Sequence, residues 1–389
     1  MRRTILDKAN NGFVYRHNMR RKANYIHQLS GWPAFVWDHE KMVQPLSRVR
    51  HHQGKLLGHM EALGFQLRED ASLQTLTTEI VKSSEIEGEI LATDQVRSSL
   101  ARKLGLDVIG LVPSERHVDG IVDLMLNATL LFDQPLTEER LFSWHSLLFP
   151  TGRSGMYKIT VGNWRTDEQG PMQVVSGAMG RERIHYQAPD AVKVADEMIT
   201  FLNWFNANQK IDLVLKAALA HFWFVTIHPF DDGNGRIARA ISDMQLARSD
   251  GSAQRFYSMS AQIRKERTAY YDCLEKTQGA TLDITEWIMW FIENLDRSIK
   301  ETEENLLDLL SKTRFWEKHN TKVLNERQRT MLNRLFDNFE GKLTTSKWSE
   351  MAKCSPDTAL RDIQSLIDQE ILEKEPGGGR STSYRIKKV

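Results

Sequence analysis

Cysteine is nearly absent: only Cys273 and Cys354 stand among 389 residues, with no metal-ligand spacing between them. That excludes a disulfide framework or a cysteine metal site, and it fits free buried thiols in a reducing cytoplasm. An excess of one charge is missing too, since 52 Lys and Arg offset 51 Asp and Glu to a net +1. Binding of nucleic acid or membrane through a global field is thereby excluded, and any such surface must be local. No apolar run reaches the length of a membrane span, and the basic N-terminus (Arg2, Arg3, Arg20, Arg21, Lys22) lacks the apolar stretch of a signal peptide. The expectation is a soluble cytoplasmic protein with no membrane partner. Apolar residues make up 41% of the chain, enough for the cores of two or three domains at this length.

The most informative stretch is His228-Pro-Phe-Asp-Asp-Gly-Asn-Gly-Arg-Ile-Ala-Arg239. It packs a titratable base, carboxylates, two glycines and two arginines into twelve residues, the parts that phosphoryl-type transfer needs. The apolar run Ala217 to Ile227 reads as a buried helix that stops at His228-Pro229, because proline disfavours helical geometry in the residue before it. Gly233-Asn234-Gly235 then opens a second helix, whose first backbone N–H groups form an anion site. Arg236 and Arg239 lie three apart on that helix, where planar forks can grip a polyphosphate. His228 has an unperturbed pKa near neutrality and suits a general base for a hydroxyl nucleophile. Asp232 is a hard oxygen ligand, suited to a magnesium ion held mostly by phosphates and water.

At every specified position this stretch resembles the motif of Fic-domain proteins, His-x-Phe-x-Asp/Glu-Gly-Asn-Gly-Arg-x-x-Arg. The resemblance implies a mainly α fold and transfer of AMP from ATP to a protein hydroxyl on Ser, Thr or Tyr. Carried over residue by residue, His228 deprotonates the target side chain and Phe230 anchors the loop in the core. Asp232 binds Mg2+, Gly233, Asn234 and Gly235 hold the α- and β-phosphates, Arg236 helps with the β-phosphate and Arg239 with the γ-phosphate. Upstream, Ser83-Ser84-Glu85-Ile86-Glu87-Gly88 lies in a helix-like stretch, about 73–90, and resembles the family's inhibitory motif, Ser/Thr-x-x-x-Glu-Gly/Asn. Taken alone, such a stretch is a solvated acidic face. Beside the downstream motif, the resemblance implies that Glu87, with Ser83 and Gly88, pairs with Arg239 and denies it to the γ-phosphate. ATP pushed out of register loses the in-line geometry that attack requires.

Two β-prone runs, Val174-Val175-Ser176-Gly177 and Arg183-Ile184-His185-Tyr186-Gln187-Ala188-Pro189, flank glycines Gly177 and Gly180 and read as a hairpin. It resembles the Fic flap, which takes an extended target as an added strand; its target-facing residues would be Val174, Val175, Ser176, Gly177, Ile184, His185 and Tyr186. The segment from Gly155-Met156-Tyr157-Lys158 to Gly162-Asn163-Trp164-Arg165 resembles the lead-in to that flap and is given no catalytic role. Phe256 to Thr277 reads as one amphipathic helix, whose Tyr270 or Tyr271 would line the adenine pocket by family analogy.

The expected architecture has three parts: a small helical N-terminal domain with the inhibitory helix (1–112), a Fic core with its β-hairpin flap (113–312), and a winged helix-turn-helix (313–389). In the first, Trp32 to Trp37 reads as a strand or extended pair, followed by a helix from His39 to Leu63. Ser114 is the expected N-cap where the core begins. In the last, Ser355 caps a helix with Pro356 at its first position. That helix would offer Thr358, Arg361 and Asp362 to a DNA groove, with Arg380, Arg385, Lys387 and Lys388 near a glycine-rich wing, Pro376 to Arg380. The leading functional expectation is an autoinhibited AMP transferase acting on a protein target or on itself. The alternatives are a DNA-binding regulator that senses ATP and a hydrolase that removes AMP with Glu87 orienting a water. Self-association is left open.

Overall fold

The computed structural model describes residues 3–4, 14–16, 25–168, 170–177, 181, 183–279, 281–336, 339, 341–375 and 382–387. The chain divides into two units, Met1–Thr302 and Glu303–Val389.

In the first unit, strands β1 (Arg3–Thr4) and β2 (Val14–Arg16) precede helices α1 (His39–Glu61), α2 (Phe65–Ile86), α3 (Thr93–Leu104), α4 (Arg116–Leu130) and α5 (Glu138–Leu148). Two short hairpins follow, β3 (Arg153–Ser154) with β4 (Tyr157–Lys158), and β5 (Gln173–Ser176) with β6 (Arg183–Gln187). Then come α6 (Ala191–Asn206), α7 (Leu213–Ile227), α8 (Asn234–Asp250), α9 (Met259–Lys265), α10 (Arg267–Gln278) and α11 (Thr285–Lys318), which runs past the unit boundary. Helix α1 starts at Asp38, whose side chain accepts from the Lys41 N–H, and buries Met42, Val49, Leu56 and Met60 along one stripe. Helix α7 is different in kind. Every residue from Val214 to Ile227 is buried, and all but Lys216, His221 and Thr226 are apolar, as suits a central core helix. α8 packs along α7, while α2 reaches α3, α4, α8 and α9, so the expected inhibitory helix lies against the helix that carries the arginines.

Several sequence expectations are corrected. Trp32 to Trp37 is a turn, closed by the Ala34 N–H on the Gly31 carbonyl (2.8 Å), and only Val36 makes a bridge, to Asp283. The aromatic rings decide this: Trp32 and Phe35 pack edge-on against Trp223 of α7, which an extended strand would not allow. Phe256 to Thr277 is two helices broken at Glu266, because α9 lies on α2 and α10 turns toward β6. Ser114 does not cap α4; Glu115 holds that position, and the Ser114 hydroxyl donates to Asp119 (2.6 Å). The helix expected over about 73–90 is part of α2, which begins at Phe65 and ends at Ile86.

The second unit contains α12 (Glu326–Phe336), β7 (Leu343–Thr344), α13 (Thr345–Met351), α14 (Pro356–Asp368), β8 (Leu372–Lys374) and β9 (Ser383–Ile386). Its strands form an antiparallel sheet in the order β7-β9-β8, over a core that includes Met331, Leu332, Trp348, Ile363 and Leu366. Ser355 caps α14 and Pro356 opens it, as its sequence indicates. Asp362 is not presented to a groove. It shares the buried face of α14 with Ala359, Ile363 and Leu366, and its carboxylate accepts from Arg327 and Asn325. Arg361 is exposed, but Arg385 pairs with Glu373 and Lys387 with Glu370. Gly180, the wing residues Pro376 to Arg380, and Lys388 lie outside the described residues.

Candidate active site

Helix α7 ends where its sequence predicts, and His228 turns into the left-handed region (φ 53°, ψ 59°). A non-glycine residue holds that conformation only when its surroundings impose it. Here Arg165 imposes it: its Nε donates to the His228 carbonyl (2.8 Å) and its backbone N–H to the Pro229 carbonyl (2.9 Å). The His228 Nδ1–H donates to the Val225 carbonyl (3.2 Å), so Nε2 carries the lone pair. Burial, helped by the Arg165 charge and opposed by the Val225 bond, lowers the imidazole to about 3. It is therefore neutral at physiological pH, with the lone pair on Nε2.

The rest of the loop is fastened to the core. Phe230 is fully buried and stacks on His145, with ring centroids 4.2 Å apart and planes at 9°. His145 in turn donates from Nε2 to the Asp232 carbonyl (3.1 Å). The Asn234 side chain closes the loop on itself, accepting from the Phe230 N–H (2.9 Å) and donating to the Phe230 carbonyl (2.8 Å). Only its backbone remains for the anion role the motif assigns it. Gly233 caps α8 with φ 80°, and a Cβ there would stand 2.9 Å from the Phe149 ring, so glycine is required. Asp232 accepts from the Gly233 N–H (2.6 Å) and from the Ser154 hydroxyl, and burial raises its carboxyl against the pull of Arg236.

The anion cradle at the start of α8 faces a carboxylate. A Cβ at Gly235 would lie 2.1 Å from Glu87 Oε1, so Glu87 rests directly on the glycine that phosphate would approach. Its Oε1 pairs with Arg239 Nη2 at 2.8 Å, the side chains being 18% and 2% exposed. Burial pulls the Arg239 guanidinium down, but Glu87 more than offsets this and its pKa is raised. Ser83 completes the clamp: Arg239 donates from Nε to its hydroxyl (2.8 Å) and from Nη2 to its carbonyl (2.9 Å). Gly88 takes φ 86°, just past the Glu87 that caps the end of α2.

The structure thus gathers Ser83, Glu87, His228, Gly235 and Arg239 from two distant stretches of sequence. Val174, His185 and Tyr186 of the hairpin line the same cavity as Glu87 and His228, with Tyr270 and Tyr271 from α10. Val175 and Ile184 face the core instead, at 1% and 8% exposure, across a register shift between Val174 and Val175. Ser176 bonds to His185, and Gly177 takes φ 105°. The Tyr270 hydroxyl bonds to His221 in the core (2.9 Å), while Tyr271 reaches Glu87 (3.5 Å). With Glu87 in place the cavity holds about 50 Å³, against roughly 300 Å³ or more for ordinary ligand pockets. Sequence reasoning missed Arg165, Ser154, His145 and Glu275, which bonds His185 and Arg183. Arg165 ends a segment that was given no role, and nothing local distinguishes it from a surface arginine.

Residues 135–246 match the Fic/DOC family, and the described residues around them are mainly helical. Residues 25–106 match a family described as a domain of unknown function (DUF4172). The chain is similar to the protein adenylyltransferase fic-1 of Caenorhabditis elegans, at 30% identity over 96 residues, covering 24% of this chain and 18% of that protein. It is similar to the protein adenylyltransferase Fic of Culex quinquefasciatus, at 32% over 104 residues (26% and 19%), and to that of Drosophila willistoni, at 27% over 256 residues (60% and 47%). The match therefore spans less than half the length of these relatives. Among solved structures, a Fic family protein from Desulfovibrio desulfuricans G20 is 19% identical, with a TM-score of 0.49, over 88% of this chain and 96% of that one. Among the described residues, no helix is long and apolar enough to cross a membrane.

Proposed function

We propose that the chain is an autoinhibited protein adenylyltransferase, which moves AMP from ATP to a hydroxyl of a target protein or of itself. The observation that carries this reading is that Glu87, which pairs with Arg239, lines the same small cavity as His228. A base with its lone pair on Nε2, an anion cradle at Gly235 and a buried guanidinium already paired to a carboxylate describe a phosphate site held shut by its own chain. The relatives named protein adenylyltransferase support the choice of ATP and of a protein target.

In the open state the target hydroxyl loses its proton to His228 Nε2 as its oxygen bonds to the α-phosphorus. The bond from that phosphorus to its bridging oxygen breaks, and pyrophosphate leaves. Arg239 and the α8 N–H groups stabilise the phosphate charge, and Arg165 holds the base in place. Among the described residues no three His, Cys, Asp or Glu side chains converge on a metal position. One buried carboxylate, Asp232, fits the way magnesium is held, by one or two protein oxygens with phosphates and water. Bound there, the ion would neutralise phosphate charge. A target strand added to the hairpin would join the β6 edge or displace β2, which already pairs with β5 (Val14 with Val175, Tyr15 with Val174). The C-terminal unit reads as a winged helix. Its buried Asp362 and its paired Arg385 and Lys387 favour docking to protein over reading DNA.

The test is label transfer from α-labelled ATP to protein, comparing the native chain with Glu87→Gly and His228→Ala. Strong labelling of Glu87→Gly, weak labelling of the native chain and none of His228→Ala is the expected pattern. Loss of AMP from a pre-labelled target by the native chain, with no labelling by Glu87→Gly, would instead favour the reverse reaction.

A further inference from the structure

Arg239 is not the only motif arginine held by an acidic side chain. Arg236, one turn earlier on α8, donates from Nη1 to Glu89 Oε2 at 2.7 Å. Glu89 stands two residues beyond Glu87, outside the Ser83–Gly88 motif. We infer that Glu89 is a second inhibitory carboxylate, which keeps Arg236 from a nucleotide's β-phosphate independently of Glu87.

The backbone explains why one short segment can do both. Helix α2 ends in a turn in which the Gly88 N–H bonds to the Glu85 carbonyl (3.1 Å) and the Glu89 N–H to the Ser84 carbonyl (3.0 Å). Between the two glutamates Gly88 lies in the left-handed region, at φ 86°. A left-handed residue between i and i+2 folds the chain back on itself, so both carboxylates reach α8. On α8 the two arginines stand three apart and share a face, which matches the two carboxylates to the two guanidinium groups.

Glu89 does not borrow its position from Glu87. His117 of α4 bonds to its other oxygen, Oε1. Burial pushes the Glu89 carboxyl up, yet His117 and Arg236 together hold it below the usual carboxylate range, so it stays ionised beside Arg236. The Arg236 side chain is only 9% exposed and lies over the Phe149 ring at 5.2 Å. Its remaining freedom is small, and Nε makes no hydrogen bond to the described residues. A phosphate oxygen arriving at the cradle meets a fork whose Nη1 is engaged elsewhere.

The inference rests on the nucleotide-phosphate reading of the cradle, and its test separates the two. Affinity is measured by calorimetry for an ATP analogue with a methylene bridge between the α- and β-phosphorus, which cannot transfer AMP, and for AMP itself. In a Glu87→Gly background, adding Glu89→Gln is expected to tighten the analogue about fivefold, the worth of a partly exposed ion pair, and to leave AMP unchanged because AMP lacks a β-phosphate. With Arg236→Gln also present, Glu89→Gln should have no effect on either ligand. An unchanged or weaker affinity for the analogue on adding Glu89→Gln overturns the inference, since Glu89 would then be inert or would align Arg236 for its ligand. An equal gain for AMP overturns it as well. Failure of the adenylyltransferase reading appears elsewhere, as absence of labelling in Glu87→Gly, and leaves these affinities to be judged on their own.

Discussion

Replacing Glu87 with glycine removes one side of the Arg239 ion pair while leaving the arginine aimed at the cavity, because both Ser83 bonds remain. The lost interaction is a charge-assisted contact of 2.8 Å between an arginine at 2% and a glutamate at 18% exposure. Such contacts are worth about 1 to 3 kcal/mol, or roughly five- to 150-fold in the equilibrium between closed and open cradles. Self-labelling by α-labelled ATP should rise by a factor in that range. The unliganded variant should also melt at lower temperature than the native chain, because a buried guanidinium has lost its counter-charge. At one ATP concentration the form with the lower Kd gains more, up to about 2.7 kcal/mol where that concentration is a hundred times its Kd, so the ATP-induced shift in Tm is larger in the variant. Labelling within twofold of the native chain, with an unchanged ATP-induced Tm shift, would refute the reasoning, for the ion pair would then be structural and not a gate.

Arg165→Lys loses the fork that holds the His228 carbonyl, and kcat of the Glu87→Gly form should fall at least tenfold with ATP affinity within twofold, as read by steady-state labelling and calorimetry. Gly233→Ala meets both a positive φ of 80° and the Phe149 ring at 2.9 Å; it should cost about 1–2 kcal/mol of stability by urea denaturation and weaken ATP binding. The pH dependence of stability follows from four neutral histidines, three buried (His145, His221, His228) and one half-buried (His27). Burial lowers His27 and His145 to about 4, and His221 and His228 to about 3, so below pH 6.5 the unfolded chain binds protons that the folded chain refuses. Each group contributes stability that is present above pH 6.5 and is lost, by up to about 1.4 kcal/mol per unit, as pH falls toward 4. The raised carboxyls of Asp232 and Asp243 oppose this in part, and the net expectation is a lower urea midpoint at pH 5 than at pH 7.

The candidate catalytic loop was legible because its chemistry is contiguous. The proposed base and metal ligand, the glycines and the arginines sit within twelve residues, and helix-ending signals such as His228-Pro229 act locally. Glu87 was legible for a related reason, as part of a short motif with a glycine whose positive φ the turn requires. The residues that orient this machinery were not. Arg165 reaches a carbonyl 63 positions away, Ser154 a carboxylate 78 away, and Glu275 a histidine 90 away, and no local pattern marks a side chain for such a partner. The break at Glu266 was hidden likewise, since no glycine or proline punctuates it and only packing on α2 and β6 separates α9 from α10.

The sequence by itself determined which groups are available for chemistry and which local conformations they adopt, because helix ends, caps and glycine turns are short-range effects. The resemblance of its motifs implied a partner for Arg239, but nothing in the sequence said whether Arg236 would be free. Only the tertiary structure could decide that, by bringing the end of α2 against the start of α8 so that Glu87 meets Arg239 and Glu89 meets Arg236. An ion pair between residues about 150 positions apart depends on how two helices pack, and packing belongs to the whole core.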